Sequence, residues 1–176
     1  MNKVCILPTG EEILTGIVRD TDSPMIVAEI LQRYPETEIE RKKPLHDIQE
    51  DITESIIKST DADLIILIGG SGEGSKYSEI LGHDFTHKSM ENALDKYVAT
   101  ALYGKNGHMW SKLICGTISN TIIINLPGPY IEAKAALEAF LRKYKNEQAK
   151  DMTEETLKMI NAEMANAVKQ QYVFNK

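Results

Sequence analysis

One continuous apolar run, followed at once by a glycine-rich segment, constrains the fold more than any other stretch of this sequence. The run is Leu64–Ile68, with three β-branched residues among its five, and residues 69–75 then contain four glycines. An apolar strand without alternation is typical of the centre of a parallel sheet that is covered on both faces. Glycines allow positive φ and bring bare N–H groups against an anion. We therefore predict a ligand site at the carboxyl end of a central strand.

Length, charge and cysteine content restrict the class of protein. The chain has 176 residues, which suits one domain with an appendage, and its net charge of −6 argues against a reader of nucleic-acid backbones. Cys5 and Cys115 are its only cysteines, and their apolar surroundings predict two reduced, buried thiols. The sequence contains neither a basic-then-apolar leader nor an apolar run of bilayer length, so we expect a cytoplasmic protein without a membrane partner.

Strand and helix patterns alternate along most of the chain. Strands are predicted at residues 4–7, 37–43, 64–68 and 121–126, with residues 37–43 at or near an edge. Helices are predicted from Ser23–Pro24 towards Arg33, after a capping box at Asp47 and Glu50, across most of residues 83–103, at 110–115 and at 131–144. This alternation favours an α/β protein with a doubly wound, mostly parallel sheet.

The last 31 residues differ from the rest. Residues 146–150 are polar and linker-like, and Asp151 with Glu154 has capping-box spacing. An amphipathic helix is predicted to follow, with an apolar seam of Leu157, Ile160, Met164, Ala167 and Val168. We predict a domain over residues 1–145, and a linker with a C-terminal helix over 146–176. The helix packs on its own domain in the simpler interpretation and contacts a partner in the other.

The glycine-rich segment does not fit the common phosphate-loop templates. A dinucleotide fingerprint opened by Gly70 and Gly72 would require glycine at Ser75, and a Walker loop would require lysine directly after Gly74. Ser71 lies between two glycines without the G-x-S-x-G pattern of a nucleophile elbow. A hydroxyl that faces a phosphate is therefore favoured over a nucleophile.

The long link between the first strand and the first helix carries four acidic residues, Glu11, Glu12, Asp20 and Asp22. Beside the glycine-rich segment, these carboxylates would supply the hard oxygen ligands with which Mg²⁺ bridges to a phosphate. A solvated acidic loop is the alternative, and the spacing leaves both open.

Four motifs, taken in order, resemble those of the molybdopterin-binding MoaB/Mog domain, which also forms the core of MoeA-type and CinA-type proteins. They are TGEEI at residues 9–13, DTDS at 20–23, DLIILIGGSG at 63–72 and NLPGP at 125–129. The resemblance spans residues 3–144 and implies a three-layer α/β/α fold, with homotrimers among single-domain members. It also implies molybdopterin as ligand, together with ATP and Mg²⁺ in members that adenylylate the pterin during molybdenum cofactor biosynthesis.

The resemblance also implies roles for individual residues. Catalysis falls to Glu11, Glu12 and Asp20, with Mg²⁺ at Glu11 and Asp20. Cofactor contacts fall to Thr9, Gly10, Gly69, Gly70, Ser71, Gly72, Gly74, Tyr77, Ser78, Pro127 and Gly128.

Tyr77 departs from the family pattern, because it stands where the family usually has an aspartate tied to metal-dependent chemistry. A molybdopterin adenylyltransferase and a non-catalytic pterin carrier or sensor therefore remain alternatives. A CinA-like nucleotide hydrolase is a third.

Overall fold

A computed structural model describes residues 1–70, 85–105, 107–145 and 148–174, with side chains as far as residue 171. In these ranges six strands form one sheet: β1 (Lys3–Pro8), β2 (Glu38–Arg41), β3 (Leu64–Ile68), β4 (Lys96–Tyr103), β5 (Met109–Ile118) and β6 (Thr121–Leu126). The helices are α1 (Glu11–Leu14), α2 (Asp22–Arg33), α3 (Gln49–Lys58), α4 (Thr86–Ala93), α5 (Tyr130–Lys143) and α6 (Glu154–Phe174), with a 3₁₀ turn at Ala149–Asp151.

The strand order is β2-β1-β3-β6-β5-β4. The four strands from β2 to β6 are parallel, and β5 and β4 add an antiparallel hairpin to one side. All five residues of β3 are at most 1% exposed, as expected for a strand between two parallel neighbours. The predicted central strand and the predicted edge strand are both confirmed.

Helices cover both faces of the sheet, because alternate residues of each strand point to opposite sides. Leu64, Ile66 and Ile68 of β3 face α2, α5 and α6, where Ile26 and Phe140 are fully buried. The other β3 residues face α3 and α4, and their partners there include Ile52, Ile56 and Met90. The three-layer α/β/α architecture is therefore confirmed.

The predictions for residues 94–103 and 110–115 were wrong. Both segments were expected to be helical, but they form most of the β4–β5 hairpin, and only Thr86–Ala93 is helical. The two alanines and the leucine of residues 96–103 suggested a helix, but Tyr97, Val98, Thr100 and Tyr103 are residue types that favour a strand. Gly116, expected as a helix stop, lies within β5, where a Cβ would be 2.7 Å from the Cβ of Tyr97. The glycine thus permits close approach of two strands.

The helix starts also differ from prediction. No side chain caps α3, which follows Ile48, so the predicted box at Asp47 and Glu50 is wrong. At α6 the cap is Thr153, whose hydroxyl accepts the Thr156 N–H at 3.1 Å, instead of Asp151. Capping boxes require local backbone geometry that residue spacing alone does not determine.

Helix α6 packs on α5 and on the hairpin. Its residues Leu157, Ile160, Met164 and Val168 are at most 1% exposed and belong to the same core as α2 and α5. Asn161 is fully buried, and its amide donates to the Leu113 carbonyl at 3.0 Å. The predicted apolar seam is therefore used within the chain. Among the described residues, no helix has the length and apolar character needed to cross a bilayer.

Candidate functional site

The carboxyl ends of β1, β3 and β6 meet at one edge of the sheet. The backbone N–H of Thr9 donates to the Ile68 carbonyl at 2.8 Å, and the N–H of Gly69 donates to the Leu126 carbonyl at 3.1 Å. A Cβ on Gly128 would lie 3.9 Å from the Cα of Gly69. Three strand ends that are distant in sequence are therefore in direct backbone contact. We call Thr9, Gly10, Gly69, Gly70 and Gly128 the glycine cradle.

Two positions of the cradle require glycine for both conformation and space. Gly69 has φ +86°, and a Cβ there would be 2.9 Å from the carbonyl oxygen of Thr9. Gly70 has φ +56°, and a Cβ there would overlap the hydroxyl oxygen of Thr86. L-residues with side chains rarely adopt this φ. Main-chain atoms of Gly69 and Gly70 therefore lie directly against Thr9 and Thr86, with no side chain between them.

Thr86 is a residue of this region that the sequence analysis missed. It is fully buried, and its Oγ1 lies 2.9 Å from the Oγ1 of Thr9. The Thr9 hydroxyl donates to the Ile68 carbonyl at 2.9 Å, so Thr86 donates to Thr9. Thr9 was predicted to contact the cofactor, but its hydroxyl proton is committed to the strand end. This hydrogen bond links Thr9, which precedes the glycine-rich segment, to Thr86, which follows it. No local sequence pattern predicts such a contact.

The acidic residues of α1 turn towards the segment that precedes α3. Gly10 has φ +125° and donates its N–H to the Leu45 carbonyl at 3.2 Å. Next along the chain, one Glu11 carboxylate oxygen lies 2.8 Å from Nδ1 of His46. Glu12 is exposed. Glu11 therefore lies next to the cradle in sequence and is paired with a histidine.

A second polar region lies where α2 begins, and we call Asp20, Asp22, Ser23 and Arg41 the α2 entrance. The Asp20 carboxylate accepts the N–H of Ser23 at 2.8 Å and its hydroxyl at 2.5 Å. It also accepts Nη2 and Nε of Arg41, at 2.7 and 3.0 Å. Burial alone would raise the pKa of Asp20, but the bonds from Ser23 and Arg41 outweigh it and lower that pKa.

Asp22, the first residue of α2, has the opposite environment. It is 6% exposed, and its buried Oδ1 has no hydrogen-bond partner among the residues that the structure describes. Burial, followed by the negative charge of Asp20, raises the pKa of Asp22 to about 6. An ionised carboxylate is therefore unfavourable at this position. The helix begins at Asp22, two residues before the predicted first helical residue Pro24, and Asp20 binds the N–H group of Ser23.

The predicted site residues separate into three groups. Thr9, Gly10, Gly69, Gly70, Pro127 and Gly128 lie at the joined strand ends, with Pro127 buried and Gly128 exposed. Glu11 and Asp20 are paired with different bases, His46 and Arg41. Five predicted contacts fall outside the described residues: Ser71, Gly72, Gly74, Tyr77 and Ser78.

The acidic residues do not assemble a magnesium site in the part of the chain that the structure describes. Within it, no group of three or more His, Cys, Asp or Glu side chains could hold a metal ion. Mg²⁺ requires several oxygen ligands in near-octahedral geometry, and the Asp20 oxygens already accept four hydrogen bonds. The predicted Mg²⁺ role of Glu11 and Asp20 therefore gains no support from these contacts.

Comparison with known proteins agrees with this geometry. A family model described as a probable molybdopterin binding domain matches residues 5–146. A CinA-like protein of Anaeromyxobacter sp. strain K is 38% identical over 71 residues, which is 40% of this chain and 17% of that protein. A CinA-like protein of Anaeromyxobacter dehalogenans strain 2CP-C is 37% identical over the same share of each. The chain thus matches less than a fifth of the length of these relatives.

Solved structures share the fold at low sequence identity. The molybdopterin biosynthesis enzyme MoaB of Thermus thermophilus has TM-score 0.62 and 23% identity, over 83% of this chain and 93% of that one. A CinA protein of Thermoplasma acidophilum has TM-score 0.60 and 15% identity, over 80% and 96%. The tungsten cofactor synthesizing protein MoaB of Pyrococcus furiosus has TM-score 0.59 and 16% identity, over 81% and 92%. Since the family match covers most of the sheet and all three joined strand ends, the chain belongs to the probable molybdopterin-binding domain family and has a MoaB/Mog-type fold.

Proposed function

We propose that this protein binds molybdopterin, or a related pterin that bears a phosphate, at the glycine cradle, and that it serves molybdenum cofactor biosynthesis. One observation carries the proposal: three strand ends meet at Gly69, where a Cβ would be 2.9 Å from the Thr9 carbonyl oxygen. The N–H groups of Thr9, Gly10 and Gly69 already donate to carbonyls of the chain, so in this proposal the anion is bound by main-chain N–H groups from Gly70 and from the glycine-rich residues after it in the sequence. A net charge of −6 is compatible with this mode of binding.

Each part of the cradle has a separate role in this proposal. The hydroxyls of Thr9 and Thr86 hold the end of β1 against the end of β3. Gly69 and Gly70 give the ligand access to main chain. The buried Pro127 and the exposed Gly128 form the third wall, at the end of β6. Contacts from residues 71, 72, 74, 77 and 78 remain part of the proposal on the ground of sequence.

We infer binding without turnover, in preference to adenylylation. The two carboxylates assigned to Mg²⁺ are held by His46 and by Arg41, 2.8 and 2.7 Å away. His46 takes one of the two oxygens of Glu11, and both oxygens of Asp20 accept hydrogen bonds from Ser23 and Arg41, so the two carboxylates are held by different segments of the chain. The tyrosine at position 77 provides no carboxylate in place of the family's aspartate. A carrier or sensor of the pterin is the function most consistent with both facts.

Titration of the purified chain with molybdopterin under anaerobic conditions, measured by isothermal calorimetry, tests the proposal. We expect micromolar binding, unchanged by MgATP, and no formation of pyrophosphate. Gly69→Val should abolish binding because its side chain would enter the cradle. Gly107→Val is the matched control, since Gly107 has φ +76° with nothing within 4 Å of a Cβ. Absence of binding by the wild-type chain would refute the proposal.

The same assay separates the other two activities. Pyrophosphate release that depends on molybdopterin, ATP and Mg²⁺ together would identify an adenylyltransferase. The partial similarity to CinA-like proteins favours a second test, the release of nucleoside monophosphate from nucleotide conjugates. We further propose that the protein acts in the cytoplasm, consistent with two buried free thiols, and as a homo-oligomer, for which the resemblance implies a trimer.

A further inference from the structure

The two edges of the sheet differ sharply in charge. Edge strand β2 carries Glu38, Glu40 and Arg41, and the Glu40 carboxylate pairs with Lys42 and with Lys3. At the opposite edge, residues 97–103 of β4 contain no charged side chain and no proline. Charged residues on an edge strand oppose pairing with another chain, and their absence leaves the edge competent to pair. Of the two edges, it is β4 that lacks this protection.

The outer side of β4 is also unpaired in the described part of the chain. Among those residues, β4 forms its ladder with β5 alone. One face of β4 lies under α6, where the Thr100 hydroxyl donates to the Asn161 amide oxygen at 2.5 Å. Towards the other face, Tyr97 and Tyr103 are 41% and 63% exposed, and Ala99 is exposed between them. A free strand edge thus borders exposed aromatic surface.

We propose that β4 pairs antiparallel with β4 of a second copy of this chain, about a two-fold axis at Thr100. Neighbouring pairs in an antiparallel ladder alternate between two hydrogen-bonding types. A two-fold axis makes the residue pairs on its two sides identical. An axis between two neighbouring pairs would require those pairs to be of the same type, so the axis must pass through a pair formed by one residue and its own copy. Thr100 is the central residue of the uncharged stretch 97–103. This register therefore aligns the two uncharged stretches completely.

Charge complementarity selects a second copy over an unrelated strand. In this register Asp95, directly before β4, aligns with Lys105 of the partner subunit, in the turn that follows β4, and two-fold symmetry creates this pair twice. The Asp95 carboxylate accepts the Ser119 N–H at 2.7 Å, which fixes it at the start of the strand. The β4–β5 register shifts after Leu102, where Trp110 is the extra residue on β5, so we take residues 98–102 as the continuous pairing, with the ion pairs on either side of it.

This interface leaves the glycine cradle accessible. Strands β6 and β5 separate β4 from β3, so the pairing occurs at the far side of the sheet from β1. It is also compatible with a three-fold contact through another surface, because a two-fold axis that crosses a three-fold axis at a right angle gives a closed hexamer. The inference is independent of the bound ligand.

Register-specific cross-linking on the full-length chain tests the pairing. Ala99→Cys and Ala101→Cys chains should form disulfide dimers when mixed and oxidised, since these positions face each other. Cα atoms of opposed residues are about 4.5–5.5 Å apart, within the range of a disulfide. Each variant alone should remain uncross-linked, and the native Cys5 and Cys115 are at most 1% exposed. Equal cross-linking in the single variants, or none in the mixture, overturns the register.

Charge exchange tests the flanking pairs. Lys105→Asp would place a second carboxylate opposite Asp95 at each end of the interface. The dimer dissociation constant, measured by sedimentation equilibrium, should rise about tenfold or more. The double variant D95K/K105D should restore it, because the pair is reversed without loss of complementarity. Lys43→Asp makes the same charge change at an exposed position beyond β2 and should have no effect. A monomeric wild-type chain at every concentration, or equal effects of Lys43→Asp and Lys105→Asp, would overturn the proposal.

Discussion

The glycine cradle and the α2 entrance use opposite means to shape the same side of the sheet. The cradle residues carry no charged side chain. The Thr86 hydroxyl donates to the Thr9 hydroxyl, which in turn donates to the Ile68 carbonyl. At the α2 entrance, by contrast, Asp20 accepts four hydrogen bonds while Oδ1 of its neighbour Asp22 accepts none within the described part of the chain. One region is held by steric fit, and the other contains an uncompensated charge.

This difference shows which region has room for change. The cradle tolerates no added atoms at Gly69 and Gly70, where a Cβ would meet the Thr9 carbonyl oxygen and the Thr86 hydroxyl oxygen. At the α2 entrance, an unpaired buried carboxylate reduces stability when ionised, so a neutral residue there should improve it. The cradle is thus tightly packed at Gly69 and Gly70, whereas the entrance is sensitive to protonation.

The largest effect is expected at Gly70. A Gly70→Ala variant combines a strained φ of +56° with overlap of the Thr86 hydroxyl, and should lose more than about 3 kcal/mol of unfolding free energy. Gly16→Ala is the control, since Gly16 has φ +77° and open space around a Cβ. That control should cost about 1 kcal/mol, from backbone strain alone. Equal losses in urea denaturation would show that the cradle is not tightly packed.

Asp20 should have the next largest effect. Asp20→Ala removes the acceptor for Ser23 and Arg41 and should cost about 2–3 kcal/mol at pH 7. Because the pKa of Asp20 is lowered in the folded state, its stabilisation is present above the ordinary value of 3.8 and is lost as pH falls through the folded pKa. Urea denaturation from pH 2.5 to 7 should show the two proteins converging at the acidic end. A constant difference would mean that Asp20 acts only through packing.

Asp22 should give a smaller effect of opposite sign. Since its pKa is raised to about 6, the folded state holds the proton more tightly, and stability falls as pH rises from about 3.8 to 6. Asp22→Asn should therefore stabilise the protein by about 1–2 kcal/mol at pH 7, with no gain below pH 4. Asp51→Asn, at an exposed position of α3, is the reference for the same chemical change. A destabilised Asp22→Asn protein at pH 7 would indicate that the ionised carboxylate has a cationic partner.

How much of the fold could be predicted depended on burial. The strands Leu64–Ile68 and Thr121–Leu126 are buried throughout, so their apolar runs identified them and the parallel half of the sheet. Residues 96–103 are half exposed because α6 covers one face and no helix of the described chain lies over Tyr97 and Ala99. Alanine and leucine at such a surface favour neither helix nor strand strongly. Tertiary packing decided that segment.

The candidate site was predictable where backbone makes it and unpredictable where side chains from distant segments complete it. Gly69 and Gly70 were identified because a glycine pair directly after a buried strand indicates a turn with positive φ. Thr86 is 77 residues from its partner Thr9, and Arg41 reaches Asp20 only because β2 lies beside β1. No spacing within a single segment encodes such pairs.

The smallest effect is expected at His46, and it bears on whether the acidic side chains beside the cradle are available to a metal ion. His46 and Glu11 are 53% and 39% exposed, so His46→Ala should change stability by less than about 0.5 kcal/mol. The variant nevertheless frees Glu11 and leaves Asp20 bound by Arg41. If the acidic residues are structural, calorimetry with MgCl₂ should detect no binding to wild-type or variant protein, whereas Mg²⁺ binding gained by His46→Ala would make Glu11 a metal ligand masked by histidine.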